Sequence, residues 1–380
     1  MTPTAQQFAD LAYDLSQTLI DRDTAITNAL LALATGEHLL LLGPPGTAKS
    51  LLVRALHKRI NGATYFEKLM SQFTVPEELY GPIDLVRYAD AGEYRRISQG
   101  ALTEAHLAFL DEVFKANSAI LNSLLSLINE RIVHEVGLAP VHVPLLSLFG
   151  ASNETPQDES LKALDDRFLF RQVVEYIADD ASFVAMLKTG DDIPGVSLTL
   201  ADIAQAQAEV RAVKGNAETL QALLNLRAAL ATQGIQPSDR KWKQSLKAIK
   251  ATAWLAGRDS TAVEDLCCLV HILWTEPKER KAVERTVYQI ANPLHLQAVE
   301  MEDMAADLMS ALKGKESDQD KLESALQQLS DIHSLLRGAI GSSQASDTSR
   351  ATAALSKIAA QHKQIATRLF TRVQALSLQV

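Results

Sequence analysis

Lys49 and Ser50 end a glycine- and proline-rich turn that lies between an apolar run at 39–42 and a helix-like stretch at 51–56. In such a turn, glycine lets the backbone curl so that its N–H groups point inward at an anion. A helix that begins near Lys49 adds the positive end of its dipole. The lysine can reach the β- and γ-phosphates of a nucleotide, and the Ser50 hydroxyl can ligate Mg²⁺. The pattern predicts a phosphate-binding loop for ATP or ADP with Mg²⁺; the alternative is a turn that binds nothing.

The whole loop is a candidate for nucleotide binding. Its residues are Gly43, Pro44, Pro45, Gly46, Thr47, Ala48, Lys49, Ser50 and Leu51. The general pattern G-x-x-x-x-G-K-[ST] has glycine before the lysine, whereas this chain has Ala48. We expect this departure to be mild, because a methyl group fits there if the residue is already helical.

Two acids, Asp111 and Glu112, end the apolar run 105–110, about 60 residues after the loop. A buried parallel strand would carry both acids to the carboxyl edge of a sheet, beside the phosphate site. There Asp111 would hold Mg²⁺ through water, and Glu112 would orient and polarise the attacking water. The alternative is a pair of solvated acids at a strand end.

A third buried run, 144–152, ends in the amide Asn153. At the same sheet edge, this side chain could hydrogen-bond the γ-phosphate or the lytic water. The alternative is an ordinary asparagine at a strand-to-loop turn.

Two arginines are candidates for neutralising charge on the γ-phosphoryl group. Arg167 follows a short helix and could face a neighbouring subunit. Its alternative is a local salt bridge with Asp165 or Asp166. Arg240 stands at a predicted helix N-terminus, against the helix dipole, which suggests an anionic partner. Its alternative is a contact with Asp239.

The elements around these residues follow from periodicity and turn signals. Helical spacing at 4–20 and 24–34 predicts two helices before the first strand, and we expect adenine near Ile20 and the Asp21-Arg22 turn, unless this is plain helix packing. Short β-like runs at 84–87 and 93–97 predict one hairpin insert. Runs at 132–136 and 141–143 predict a second.

The chain divides into three predicted parts. The fold class is an α/β phosphate-loop core over 1–190, with a parallel sheet flanked by helices and carrying the hairpin inserts. An all-α lid over 196–282 follows a linker at 190–195, and long helices fill 283–380. The C-terminal helices, joined by a flexible connection at 341–346, could form a stalk for partners or a support.

Composition limits the function. The 380 residues carry a net charge of −9, with 47% hydrophobic and 22% charged residues, so no global basic field favours nucleic acid or anionic membrane. The sequence shows neither a signal-peptide pattern nor an apolar run of about 20 residues, which predicts a cytoplasmic protein without a membrane span. Cys267 and Cys268 are expected to be core thiols; the alternative is a vicinal redox pair.

In this order, the motifs resemble the AAA+ superfamily, and in detail they resemble its MoxR group, most closely the RavA branch, which keeps the alanine at position 48. The segments that carry the resemblance are 36–38, 41–50, 74–82, 109–117, 128–131, 151–154 and 164–168. The resemblance covers about residues 15–275 and is specific in the first 180. It implies an insert near 83–97, a hairpin near 132–143, a hexamer, and a partner protein with a von Willebrand factor A domain.

Carried over by position, the resemblance assigns Lys49 and Ser50 to the phosphate loop, and Asp111 and Glu112 to the Walker B strand. It assigns Asn153, Arg167 and Arg240 to the sensor-1, finger and sensor-2 roles.

The sequence thus predicts Mg²⁺-dependent ATP hydrolysis in a ring that remodels or activates a partner protein. One alternative is a nucleotide-gated scaffold without useful turnover. Another is a nucleic-acid motor, since the predicted inserts contain Arg87, Arg95 and Arg96, but the acidic chain makes nucleic acid an unfavoured partner.

Overall fold

The computed structural model describes residues 1–134, 140–154, 159–190, 195–312, 319–342 and 348–377. The chain forms two compact units, Met1–Val283 and Glu284–Val380. The predicted linker at 190–195 lies mostly outside the described residues, as does most of the predicted connection at 341–346.

A five-stranded parallel sheet organises the first unit. The strands of the chain are β1 Leu39–Leu42, β2 Ile60–Asn61, β3 Tyr65–Leu69, β4 Leu107–Asp111, β5 Ile132–Val133, β6 Val141–His142, β7 Ser147–Ser152, β8 Phe170–Val173 and β9 Leu198–Thr199. The sheet order is β3-β4-β7-β1-β8, and Leu39 pairs with Phe149 on one side and Phe170 on the other. All residues of β1 and β7 are buried, as expected for a parallel sheet covered on both faces.

Helices flank this sheet and build the lid. Those of the first unit are α1 Pro3–Thr18, α2 Asp23–Thr35, α3 Lys49–Lys58, α4 Pro76–Tyr80, α5 Leu85–Ala91, α6 Ser118–Glu130, α7 Glu159–Asp165, α8 Asp180–Lys188, α9 Leu200–Ala212, α10 Ala217–Thr232 and α11 Asp239–Leu255. Nine residues of α2 are buried, because α2 packs against β1 and β8 on one side and α1, α9 and α11 on the other. The helix α11 thereby lies against the helical layer that covers β1 and β8.

The two cysteines lie in a 3₁₀ stretch, Val263–His271, which packs on α11. Neither of these described cysteines forms a disulfide, and burial raises the pKa of Cys268 well above its usual value. A buried protonated thiol is a poor nucleophile, which agrees with the prediction of core thiols.

The prediction of a hairpin from the runs at 84–87 and 93–97 is wrong. The first run and the predicted turn form the helix α5, and an isolated antiparallel bridge joins Ile83 to Arg96. The Asp84 carboxylate caps the helix by accepting from the Arg87 N–H, and Gly92 ends it in the left-handed region at φ 66°. The aspartate and glycine signals are therefore helix caps rather than a hairpin turn.

The second predicted hairpin is present. Strands β5 and β6 pair antiparallel, with Ile132 opposite His142 and Val133 opposite Val141. Residues 135–139, where its turn was predicted, lie outside the described residues.

The second unit is helical, as predicted. Its helices are α12 Arg280–Ala291, which begins in the first unit, α13 Pro293–Ala311, α14 Gln319–Ser342 and α15 Ser349–Ser377. Leu322, Leu329 and Leu336 line its core at helical spacing. Among the described residues, no helix is both long enough and apolar enough to cross a membrane.

Candidate nucleotide-binding site

The loop after β1 has a backbone that requires glycine at its start. Gly43 adopts φ 148°, and a Cβ there would lie 2.0 Å from the Val174 carbonyl oxygen at the end of β8. Gly46 adopts φ 79°, and the Thr47 Oγ1 donates to the Pro44 carbonyl at 2.9 Å. The loop is thus a tight turn packed onto the neighbouring strand.

The backbone conformation of Ala48 differs from the expectation.

 Rather than being already helical, Ala48 adopts φ 68° and ψ 22°, the left-handed conformation, and caps the N-terminus of α3. This region is disfavoured for any residue with a Cβ by about 1–2 kcal/mol. The expectation that the methyl group is accommodated because the residue is helical is therefore wrong, and the substitution of glycine by alanine leaves local strain in the loop.

Lys49 begins α3, as predicted, and is buried. Its Nζ donates to the carbonyl oxygens of Gly43 at 2.7 Å and Pro44 at 2.8 Å. Burial lowers its pKa, and the nearby carboxylates of Asp111 and Glu112 oppose that shift. An ammonium group held by two neutral carbonyls in a closed turn fits an anionic phosphate as its ligand. Ser50 is half-buried in the same helical turn.

The two acids follow β4 at the same edge of the sheet. Asp111 Oδ1 accepts from the Glu112 N–H at 3.0 Å. Glu112 Oε1 accepts from Asn153 Nδ2 at 2.7 Å, and its Oε2 lies 3.4 Å from Lys115 Nζ. Glu112 itself has a left-handed backbone, at φ 51° and ψ 42°. Strain of this kind in a non-glycine residue occurs often at functional sites, where the surrounding structure holds it.

The donor set for a metal ion is small. The described residues contain no cluster of three or more His, Cys, Asp or Glu side chains that could hold a metal. A site made from the Ser50 hydroxyl and the Asp111 carboxylate fits Mg²⁺, which usually takes one or two protein ligands together with waters and phosphate oxygens.

Two residues hold the loop from the side of β8: Arg22, in the turn where adenine was expected, and Tyr176, which sequence reasoning missed. Arg22 Nε donates to the Thr47 carbonyl at 3.2 Å, and its second terminal nitrogen donates to the Glu175 carbonyl at 2.9 Å. The Tyr176 hydroxyl donates to the Pro45 carbonyl at 3.2 Å. The position of Tyr176, directly after a strand that ends at the loop's edge of the sheet, was the available signal.

An open cavity of about 400 Å³ adjoins these two residues, and Asp21, Gln172 and Arg280 also line it. Ile20, where adenine was expected, is half-buried directly before this lining. The cavity leaves room for a ligand group beside the loop.

The two arginines lie close to each other. Arg167 donates to the Ala163 carbonyl, and its Nε is buried without a partner among the described residues. Burial lowers the pKa of Arg167, and the charge of Arg240 lowers it further. The salt bridge considered between Arg167 and Asp165 is absent from the described residues, because Asp165 pairs with Arg171 at 2.5 Å.

The lid helix that carries Arg240 is docked at this point. Its N-cap residue, Ser238, donates through Oγ to Asp166 Oδ1 at 2.9 Å. The candidate residues thus form two groups, one around Lys49 and Glu112 and one around Arg167 and Arg240. Within the described part of the chain, no hydrogen bond or ion pair joins the two groups.

The sheet order, the loop after β1, the acids after β4 and the helical lid define the AAA+ class of phosphate-loop proteins. The chain belongs to the MoxR group of this class: residues 6–214 match the family described as "MoxR domain in the MoxR-vWA-beta-propeller ternary systems". Residues 218–287 match the AAA lid domain.

Relatives agree with this assignment. The uncharacterized protein MJ0812 of Methanocaldococcus jannaschii is 40% identical over 311 residues, which are 81% of this chain and 82% of the relative. The chaperone MoxR1 of Mycobacterium tuberculosis is 26% identical over 168 residues, 43% of each chain. A structure from Cytophaga hutchinsonii, described as a candidate ATPase, shares the fold with a TM-score of 0.61 at 19% identity, covering 76% of this chain and 95% of its own.

Proposed function

We propose that this protein is a Mg²⁺-dependent ATPase that works as a ring of identical subunits, of which a hexamer is the expected form, and remodels or activates a partner protein. The observation that carries the proposal is the 2.7 Å hydrogen bond between Asn153 and Glu112. It joins an acid that can accept a proton to an amide that can orient a water, beside a lysine that interacts with the same acid.

Each residue of the first group has a role in hydrolysis. Lys49 binds the β- and γ-phosphates, and the loop N–H groups surround them. Ser50 and Asp111 would hold Mg²⁺, which neutralises phosphate charge when bound. Glu112 accepts the proton of the water that attacks the γ-phosphorus, and Asn153 orients that water. The leaving group is ADP.

The second group acts on the nucleotide of a neighbouring subunit. The charge of Arg240 disfavours that of Arg167, with Asp166 opposing the effect, so an anion that binds both arginines relieves the repulsion. No anionic group of the described chain takes the buried Arg167 Nε. We propose that the γ-phosphate of the next subunit is this anion, and that both arginines reach it together across the subunit interface.

The partner is a protein with a von Willebrand factor A domain, a proposal supported by the name of the matching family. The same proposal includes a division into a core at 1–190, a lid at 196–282 and a helical region at 283–380. It also includes the closer likeness to the RavA branch and a cytoplasmic location.

Phosphate release from Mg²⁺-ATP tests the proposed activity. Glu112→Gln keeps ATP binding and lowers turnover by about 10²- to 10⁴-fold, because the general base is lost. Lys49→Ala lowers turnover through weaker ATP binding. Full turnover in Glu112→Gln would contradict the assignment of the base, and wild-type protein that releases no phosphate at any concentration or with its partner would favour a scaffold.

A further inference from the structure

One face of α11 connects the candidate site with the far end of the sheet. Arg240, Gln244 and Lys247 stand at positions i, i+4 and i+7, so their side chains share one face of the helix. Arg240 lies beside Arg167 at the start of this face. The other two side chains lie one and two turns further along.

The carboxylate of Glu37 binds both of those side chains. Its Oε1 accepts from Lys247 Nζ at 2.6 Å, and its Oε2 accepts from Gln244 Nε2 at 2.9 Å. Glu37 is 6% exposed, whereas the side chain of Lys247 is 55% exposed, so a buried carboxylate accepts one bond from a lysine that reaches it from the solvent side. Two bonds on separate oxygens fix both the rotation of α11 about its axis and its position along that axis.

The backbone of Glu37 is equally constrained. Its carbonyl oxygen accepts from the buried Ser147 Oγ at 2.8 Å, at the start of β7. The next residue, His38, is buried and accepts through Nδ1 from the Leu148 N–H at 2.9 Å. After His38 comes β1, which leads into the phosphate loop. Glu37 therefore ties the lid helix to the two strands that lead to Lys49 and Asn153.

We propose that Glu37 is a positioning residue for Arg240. This inference rests on the proposed function, since it assumes that Arg240 acts on a nucleotide. By holding Gln244 and Lys247, Glu37 sets the place and direction in which the first turn of α11 presents Arg240. The carboxylate binds Gln244 and Lys247 of the lid helix, so in this proposal it acts on turnover only through the arginine.

A double-mutant cycle on turnover tests the proposal in the full-length protein. Glu37→Gln lowers kcat about 10- to 100-fold, the loss that a small displacement of an acting group causes, and leaves the KM for ATP within about twofold. Arg240→Ala lowers kcat at least as much. The double variant is no slower than Arg240→Ala alone, because nothing remains for Glu37 to position. If Glu37→Gln lowers kcat by the same factor in the Arg240→Ala background as in wild type, the proposal is wrong.

Variants of α11 break the same contact while leaving Glu37 unchanged. A folding defect caused by the Glu37 substitution then cannot explain the result. Lys247→Met is expected to lower kcat. Combined with Arg240→Ala, it causes no further loss. Lys247→Arg, which retains a cation, keeps turnover near that of wild type. Lys243→Met, at an exposed lysine of the same helix, is the matched control and keeps wild-type kcat. Wild-type turnover in Arg240→Ala overturns the role proposed for Arg240 and the inference with it. If Arg240→Ala loses turnover while Glu37→Gln and Lys247→Met keep full activity, the inference about Glu37 is wrong and the role proposed for Arg240 stands.

Discussion

Asn153 Nδ2 donates a 2.7 Å hydrogen bond to Glu112 Oε1. The two residues follow adjacent parallel strands, β7 and β4, at the same edge of the sheet. The left-handed backbone of Glu112 sets the position of its carboxylate, a conformation that costs about 1–3 kcal/mol. The protein thus holds an acid and an amide in direct contact at one edge of the sheet, with the acid in a strained turn.

Substitutions of Asn153 test this pair. Asn153→Ala removes the donor and is expected to lower kcat for ATP about 10-fold or more, with ATP binding unchanged. Asn153→Asp lowers kcat further, because it sets a second negative charge against Glu112. Steady-state phosphate release and nucleotide titration measure the two effects separately. Asn225→Ala, at an exposed amide of α10, serves as the control. Equal kcat in Asn153→Ala and wild type would exclude an active role for the amide.

The backbone of Ala48 predicts a stabilising substitution. Ala48→Gly is expected to raise the free energy of unfolding by about 0.5–1 kcal/mol, because glycine adopts φ 68° without the Cβ clash. Ala228→Gly, on the exposed side of α10, is expected to lower the free energy of unfolding by about 1 kcal/mol, because glycine weakens a helix. Thermal unfolding of both variants checks the contrast, and a lower melting temperature for Ala48→Gly argues against strain.

Lys241 predicts a pH dependence of stability. Its Nζ is buried and has no hydrogen-bond partner among the described residues. Burial lowers its pKa to about 7, helped by Arg171 and opposed by Asp165, Asp166 and Glu279. An unfolded lysine titrates near pH 10.4, so between about pH 7 and 10 the unfolded chain binds more protons than the folded chain. Stability from this group therefore rises with pH across that window and is lowest below about pH 7.

Lys241→Met removes this contribution. The variant is expected to be more stable than wild type at pH 7 by about 1–4 kcal/mol, with the difference shrinking as pH rises to 9. Urea unfolding between pH 6 and 9 measures both curves. Parallel curves, with a constant difference at every pH, would show that Lys241 does not titrate in this range.

Glu302 predicts a stability effect in the second unit. Its buried carboxylate accepts from Arg350 at 2.5 Å and also from Lys357, which joins α13 to α15. Glu302→Gln leaves two partly exposed cations without their counter-charge, and about 1–2 kcal/mol of stability is expected to be lost.

Hydrogen exchange in α13 and α15 measures that loss. Glu300→Gln is the matched control, since Glu300 pairs with Arg285 at 3.7 Å with both side chains exposed, and it is expected to change stability very little. Similar exchange in the two variants would mean that the Glu302 pairs contribute nothing measurable.

The sequence alone was sufficient to predict that the candidate residues meet at one edge of the sheet. Apolar runs that lead into the phosphate loop, Asp111 and Asn153 each predict a buried parallel strand, and parallel strands bring their carboxyl ends to one edge. The physical requirement for such a strand lies in a short stretch of sequence, so local patterns reveal it. The helix α5 was missed because Asp84 and Gly92 serve equally as hairpin or helix-capping residues, and only the surrounding contacts decide between the two.

Other features depend on contacts between distant parts of the chain. Glu37 and Lys247 are 210 residues apart, and Tyr176 reaches Pro45 over 131 residues. No periodicity or turn signal records such pairs. The left-handed conformation of Ala48 was also hidden, because the residue type favours helix and gives no warning of a positive φ.

The central claim is that hydrolysis needs an arginine from a neighbouring subunit. The most direct measurement is phosphate release from Mg²⁺-ATP as a function of protein concentration, with Arg167→Ala protein mixed into wild type at a fixed total concentration. The account predicts that specific activity rises with concentration and that the variant lowers turnover by more than its share of the mixture. Specific activity that is independent of concentration, with turnover simply proportional to the wild-type fraction, would contradict it.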